Sequence, residues 1–190
     1  YRQTFLLMLK SAILMAVPVI IIGMSFSGQI VRLILGTAYS ESGPILRILV
    51  PGFLIDCLIV TFGFALMAAG KQKLQTISLG IACLTILSLG VLLIPPLGGM
   101  GAALAFLTGK SVNLMLLVYF FTRKVGRYAL SGKYFLSLLP VITAGLAPLL
   151  LPSHWILLSL LSLVLYAAAV LAFRIISPSQ LTRLFRNITP

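Results

Sequence analysis

Long apolar runs dominate the sequence and restrict what it can fold into. Each of six runs has roughly the 20 residues that a helix needs to cross the hydrocarbon core of a bilayer. A soluble domain would carry about a quarter charged residues, whereas only 8% of these 190 residues are charged. The sequence therefore predicts an all-α, polytopic transmembrane helical bundle with six spans, at 11–35, 45–69, 74–95, 100–121, 134–151 and 154–176.

The first predicted span is longer than a bilayer crossing requires. We expect it either to tilt or to end in an interfacial turn around Ser25–Gln29. The chain begins with Tyr1 rather than Met, and its start lacks the three regions of a signal peptide. We therefore expect the sequence to be a piece of a longer protein.

Positive charge is concentrated in alternate connections between the runs. The chain has 14 Lys and Arg against two acids, for a net charge of +12. The loops 36–43, 95–99 and 151–155 have no Lys or Arg, so the positive-inside rule places them outside and both ends of the chain in the cytoplasm. The residues predicted on the cytoplasmic side are Arg2, Lys10, Lys71, Lys73, Arg123, Lys124, Arg127, Lys133, Arg174, Arg183 and Arg186.

This topology accounts for the basic composition without a nucleic-acid partner. The cations lie in short loops, and aromatic residues are not interleaved with them as a stacking platform would require. We predict four helices within 1–122, a basic cytoplasmic loop at 123–133, two additional helices within 134–176 and a basic cytoplasmic tail at 177–190.

Three cations, Arg32, Arg47 and Lys110, fall outside this alternation. The two arginines bracket the predicted outward loop, where their side chains would reach the headgroups. Lys110 lies about 15 Å from one end of its span and about 18 Å from the other. Asp56 lies about 18 Å into the second span. A charge at such a depth costs from about 2.5 to more than 10 kcal/mol, so each is expected to face a partner or a watered cavity.

Two interpretations of Asp56 and Lys110 remain open at this stage. They would form an ion pair that only locks helices together, since the second and fourth spans run in the same direction. Alternatively, one or both would face a cavity, where Lys110 attracts an anionic substrate and Asp56 couples a proton or cation.

The fourth span also carries a face of small residues. Gly101, Ala105 and Gly109 recur every four residues, a spacing typical of close helix packing in membranes. Lys110 projects about 100° from Gly109, and Asn113 adds a further polar group to the same stretch. The candidate substrate-binding residues are therefore Lys110, Arg32, Arg47 and Asn113, with Asp56 as the ion-coupling or ion-pair residue.

The titratable residues are too few for an enzyme site. One His, two acids and two separated Cys do not assemble a metal site or a nucleophilic triad. The sequence therefore predicts a non-enzymatic protein with no metal and no cofactor.

A longer pattern extends over ILGTAYSESGPILRIL (34–49), FALMAAGKQK (64–73) and LLIPPLGGMGAALAF (92–106). It resembles the C-terminal region of the polysaccharide flippases in the multidrug/oligosaccharidyl-lipid/polysaccharide exporter superfamily. The family's turns and helix starts are matched by Gly36, Tyr39, Ser42, Ile45–Leu49, Ala68, Gly70, Lys71, Ile94, Pro95, Gly98, Gly101, Ala102 and Ala103.

The resemblance implies a fold of two helical lobes that form a V, with this chain as part of the C-terminal lobe. The N-terminal lobe of the same protein would then be a missing partner. It also implies flipping of polyprenyl-pyrophosphate-linked oligosaccharide from the inner to the outer leaflet of a bacterial inner membrane by alternating access. This transport serves cell-surface polysaccharide synthesis. The partners would be that lipid-linked oligosaccharide and the phospholipid bilayer.

Two other functions are compatible with the sequence. One is a multidrug or organic-cation antiporter of the same superfamily, although such a cavity would favour acids, and the mid-span acid has a lysine nearby. The other is a non-transporting membrane assembly protein, in which the charged pair would be sealed from water.

Overall fold

The computed structural model of the chain describes residues 2–125 and Val164. Every regular element in this part is helical, and no strand occurs within it. The elements are α1 (Arg2–Leu35), a short 3-10 helix (Thr37–Tyr39), α2 (Ser42–Leu49), α3 (Gly52–Ala68), α4 (Gln72–Leu97) and α5 (Gly99–Lys124). The predicted all-α class is confirmed for these residues.

Within the described residues, four helical stretches are long and apolar enough to cross a membrane: Thr4–Leu35, Ser42–Ala68, Gln72–Leu97 and Gly99–Lys124. They coincide with the first four predicted spans. The predicted fifth and sixth spans (134–151 and 154–176, apart from Val164), the tail (177–190) and residues 126–133 of the basic loop lie outside the described residues.

α1 is a single helix that is longer than predicted. It begins at Arg2 rather than at residue 11 and continues through 25–29, so the alternative of an interfacial turn there is wrong. Its first turns are retained because Phe5 and Leu9 are buried at 5% and 2% exposure. Tertiary packing of this apolar face stabilises helix in a segment that hydropathy alone assigned to a connecting stub.

The second predicted span is divided into α2 and α3 at Val50 and Pro51. Pro51 has no N–H to donate to the carbonyl four residues earlier. The backbone therefore changes to tighter bonds, with the N–H of Phe53 donating to the carbonyl of Val50 at 3.0 Å and that of Leu54 to Pro51 at 3.2 Å. The apolar stretch still extends from Ser42 to Ala68 and is long enough to cross a membrane as one unit.

The connection between α4 and α5 is shorter than the loop predicted at 95–99. α4 continues through Pro95 and Pro96 to Leu97, and Gly98 alone separates it from α5. Gly98 has φ of 55°, a left-handed conformation that favours glycine, and its N–H donates to the carbonyl of Ile94 at 2.7 Å. The two helices consequently form a tight antiparallel hairpin.

A cluster of aromatic side chains sets the relative direction of three helices. The ring of Phe5, at the start of α1, lies 4.7 Å from the ring of Phe121 and 5.4 Å from that of Phe62. Phe62 lies in the second half of α3, and Phe121 lies in the last turn of α5. The start of α1 and the ends of α3 and α5 therefore lie at one end of the bundle, and α3 and α5 run in the same direction.

The small-residue face of α5 is a packing face, as predicted, and the structure shows that its partner is α4. A Cβ atom added at Gly101 would lie 2.1 Å from the carbonyl oxygen of Leu93. A Cβ atom at Gly109 would lie 2.1 Å from Cγ1 of Ile86. Ala105, between the two glycines, is 1% exposed. Only glycine permits this approach of the two backbones.

Candidate functional site

The structure brings together the two mid-span charges. The Nζ atom of Lys110 lies 2.6 Å from Oδ2 of Asp56 and donates a hydrogen bond to it. Lys110 lies about 16 Å from the start of α5 and about 21 Å from its end. The side chains retain 20% exposure for Lys110 and 44% for Asp56. The ion pair thus lies far from both ends of α5, and the described residues leave both of its side chains partly exposed.

The pairing follows from the parallel register of α3 and α5. One turn before the ion pair, a Cβ atom at Gly52 would lie 3.9 Å from Cγ of Leu107. Asp56 follows Gly52 by four residues and Lys110 follows Leu107 by three, so both remain on the facing sides of the two helices. Gly109 faces α4, and the next residue is turned by about 100°, which directs Lys110 towards α3.

Phe106 provides a second contact for Lys110. Its ring centroid lies 4.2 Å from Nζ, within the range of a cation–π interaction. The two residues are four apart in α5, so they are neighbours on its surface. Lysine at i+4 from an aromatic residue was a signal for this contact, but sequence reasoning did not identify Phe106.

The ion pair keeps unused hydrogen-bonding capacity. Among the described residues, Oδ1 of Asp56 receives no hydrogen bond, and Lys110 has one acceptor for its three N–H groups. The nearby hydroxyls do not fill this capacity, because Thr108 donates to the carbonyl of Leu104 and Ser111 to that of Leu107. An incoming anion or proton donor would therefore find free groups here.

Asn113 is directed to α4. It is 6% exposed, and its Oδ1 accepts a hydrogen bond of 2.5 Å from Oγ of Ser78, which is 0% exposed. Ser78 also donates to the backbone carbonyl of Asn113 at 3.1 Å. Nothing in the sequence distinguishes Ser78 from Thr85 and Ser88, which are similar hydroxyl residues in the same helix and bond to their own backbone.

The structure keeps Arg32 and Arg47 separate from the ion pair. Arg32 is exposed in the last turn of α1. Arg47 is half-buried and lies on the face of α2 that packs on α1. On this face Gly43 lies against Gly28 of α1, and Val50 lies against Gly23 of α1. The Nε atom of Arg47 is buried and has no hydrogen-bond partner among the described residues.

The described residues contain no group of three His, Cys, Asp or Glu side chains that would hold a metal ion. Cys57 and Cys83 are free thiols on different helices. The charged chemistry of the ion pair therefore depends on the carboxylate of Asp56 and the ammonium group of Lys110.

Comparison with known proteins gives an informative similarity. A protein described as "Putative O-antigen transporter" from Shigella flexneri is 30% identical to this chain over 123 residues. The match covers 63% of this chain and 29% of that relative, so the chain spans less than a third of the relative's length. No protein-family model and no solved structure matches the chain. With four apolar helical stretches among its described residues, the chain is a multi-pass membrane protein with similarity to the protein described as "Putative O-antigen transporter".

Proposed function

We propose that this chain is part of a flippase, a transporter that moves polyprenyl-pyrophosphate-linked oligosaccharide from the inner to the outer leaflet of a bacterial inner membrane. The observation that carries the proposal is the Asp56–Lys110 pair, which lies at mid-depth and keeps free donors and an acceptor. The similarity to a protein described as an O-antigen transporter supports the substrate class.

The proposal assigns the two charges to the transport route. A pyrophosphate that crosses hydrocarbon loses its hydration, and a cation at mid-depth lowers that barrier by replacing water. Lys110 would attract the pyrophosphate, and Asp56 would hold the ammonium group in position while the site is empty. Arg32, in the last turn of α1, and Arg47, in the last turn of α2, would receive the anion after it has passed the ion pair.

In this proposal the described helices belong to the C-terminal lobe of a two-lobe transporter. The N-terminal lobe would lie upstream of Tyr1, and 134–176 would supply two additional helices. Both ends of the present chain would lie in the cytoplasm, and rocking of the lobes would expose the site alternately to the two leaflets.

Replacement of Lys110 in the full-length protein tests the assignment. Export of surface polysaccharide is measured in a host that lacks its own flippase, together with protein abundance in the membrane. Lys110→Ala is expected to reduce export by about tenfold or more, the loss typical of one hydrogen bond to a charged group. Lys110→Arg is expected to retain part of the export. Lys71→Ala, an exposed cation in the α3–α4 turn, serves as the control and should export normally.

A double substitution separates transport from packing. If the pair only locks helices, Asp56→Ala combined with Lys110→Ala restores both abundance and export, because no uncompensated charge remains. If the pair is part of the route, abundance recovers and export stays low. Normal export by Lys110→Ala alone would remove Lys110 from the substrate site.

A further inference from the structure

A groove opens between α2, α4 and α5, at the end of the bundle where Gly98 joins α4 to α5. Its volume is about 540 Å³, which lies in the range of small-molecule sites, about 300–1,000 Å³, and exceeds a packing defect. Apolar side chains and glycines line it throughout, among them Ile45, Ile86, Gly90, Ala102 and Phe106. An uncharged groove of this kind fits hydrocarbon and offers nothing to a sugar or a phosphate.

Small residues create the space in this groove. Gly90 of α4 is buried, and a Cβ atom there would meet only Cδ1 of Ile94, at 3.6 Å. Ala102, Ala103 and Ala105 of α5 supply the facing wall. From Gly99 to Phe106 the groove extends about 10 Å along α5, which places it within one half of the hydrocarbon core.

Phe106 connects the groove to the ion pair. It lines the groove, and the same ring lies 4.2 Å from Nζ of Lys110. One aromatic ring therefore contacts both the apolar groove and a charged group at mid-depth. These two adjoining environments match the two parts of an amphiphile, a hydrocarbon chain and an anionic group at its end.

We propose that this groove binds the polyprenyl chain of the transported lipid while its pyrophosphate lies near Lys110. This inference rests on the proposed function. An acyl chain of a bilayer phospholipid fits less well, because its headgroup stays at the interface, whereas only a lipid in transit has its charged group at the depth of Lys110. A lipid that enters from the end of the bundle where α5 terminates would direct its chain towards this groove.

The hydrocarbon chain gains little from the hydrophobic effect here, because the surrounding medium is also apolar. The groove therefore orients the lipid by dispersion contacts and shape, and the charged end supplies most of the binding energy. Filling the groove should displace the chain from it without removing the attraction of Lys110 for the pyrophosphate.

Two glycines of α4 provide a matched test of this binding site. Gly90→Leu places a side chain in the groove. Gly80→Leu places the same side chain in open space as far as the described residues extend, because none of them lies within 4 Å of a Cβ atom at Gly80. Gly90→Ala is a milder variant whose Cβ makes an ordinary contact, so it preserves folding if the leucine does not.

The experiment uses the full-length protein in phospholipid nanodiscs with a polyprenyl pyrophosphate that carries a benzophenone on its chain. After irradiation, mass spectrometry maps the labelled peptides. The expected result is labelling within 86–106 that is lost in Gly90→Leu, reduced in Gly90→Ala and unchanged in Gly80→Leu. Labelling at 86–106 that is equal in all variants, or found only elsewhere, overturns the inference, since the chain of the probe then does not depend on the space that Gly90 leaves.

The export assay distinguishes a failure of the groove site from a failure of the proposed function. A full-length wild-type protein that exports polysaccharide but is not labelled in the groove contradicts the groove site and leaves the flippase proposal intact. A wild-type protein that does not restore export to a flippase-deficient host contradicts the proposed function itself, whatever its labelling.

Discussion

Gly109 offers a quantitative test of how α5 is positioned. A Cβ atom added there would lie 2.1 Å from Cγ1 of Ile86 and 3.1 Å from the carbonyl oxygen of Ala82. Ile86 is β-branched and has few alternative rotamers in a helix. The Ala82 contact is backbone and cannot turn away. Gly109→Ala therefore forces α4 and α5 apart, next to the residue that contacts Asp56.

Two free-energy terms of opposite sign determine how much Gly109→Ala changes the stability of the protein. Overpacking of a close interface typically costs about 1–3 kcal/mol, and the carbonyl behind Ile86 places Gly109→Ala towards the upper value. Alanine is favoured over glycine within a helix by about 1 kcal/mol, which offsets part of the cost. We expect a net destabilisation of about 2 kcal/mol. Gly80→Ala has only the favourable term and should be neutral or stabilising by up to about 1 kcal/mol.

The two variants are compared by denaturant unfolding of the full-length protein in detergent. The expected signs are opposite, and the difference in unfolding free energy is about 3 kcal/mol, the sum of the two changes. A Gly109→Ala protein as stable as the wild type would refute the close approach of α4 and α5 at this position. It would also contradict the inference that the packing of α5 on α4 directs Lys110 towards α3.

Two further substitutions test the packing around the site. Ser78→Ala leaves the buried Oδ1 of Asn113 without its donor and should lower the unfolding free energy by about 1–3 kcal/mol. The double variant Ser78→Ala with Asn113→Leu should be less destabilising than Ser78→Ala alone, because it leaves no unpaired polar group. An additive double variant would contradict the hydrogen bond. Phe62→Ala, in the aromatic cluster, should cost about 3–5 kcal/mol, while Phe64→Ala, 58% exposed on the same helix, should have little effect in the same assay. Equal losses for the two would contradict the placement of the cluster.

The sequence predicted the first four spans, those that the described residues cover, because the bilayer imposes a length on each apolar run. It also indicated that Gly101, Ala105 and Gly109 form a packing face, since their spacing keeps them on one side of a helix. What it missed was set by tertiary contacts. Residues 2–10 carry polar groups that lower their hydropathy, yet Phe5 and Leu9 are core residues and retain the helix there.

Prolines were the other source of error, and they acted in opposite ways. Pro51 interrupts the second span because the missing N–H lies between two stretches with normal helical bonding. Pro95 and Pro96 do not interrupt α4, because they lie in its last turn, where the N–H of Gly98 still closes the helix. A proline in the sequence signals a missing donor, but whether the helix ends there depends on the bonds available to the following residues.

For the site, the sequence predicted the depth of each charged residue along its helix, but not the direction in which its side chain points. Counting residues along the apolar runs was sufficient to place Asp56 and Lys110 at similar depth. The direction of Lys110 depends on rotation of α5 about its axis, and that rotation is fixed by Gly109, whose missing side chain allows α4 to approach. Asn113, three residues beyond Lys110, is buried on the α4 side, where it bonds to Ser78, because the same rotation applies to it. A motif that identifies close packing thus determines which of the neighbouring polar groups reaches the carboxylate, and the sequence provides the motif without providing the helix that packs on it.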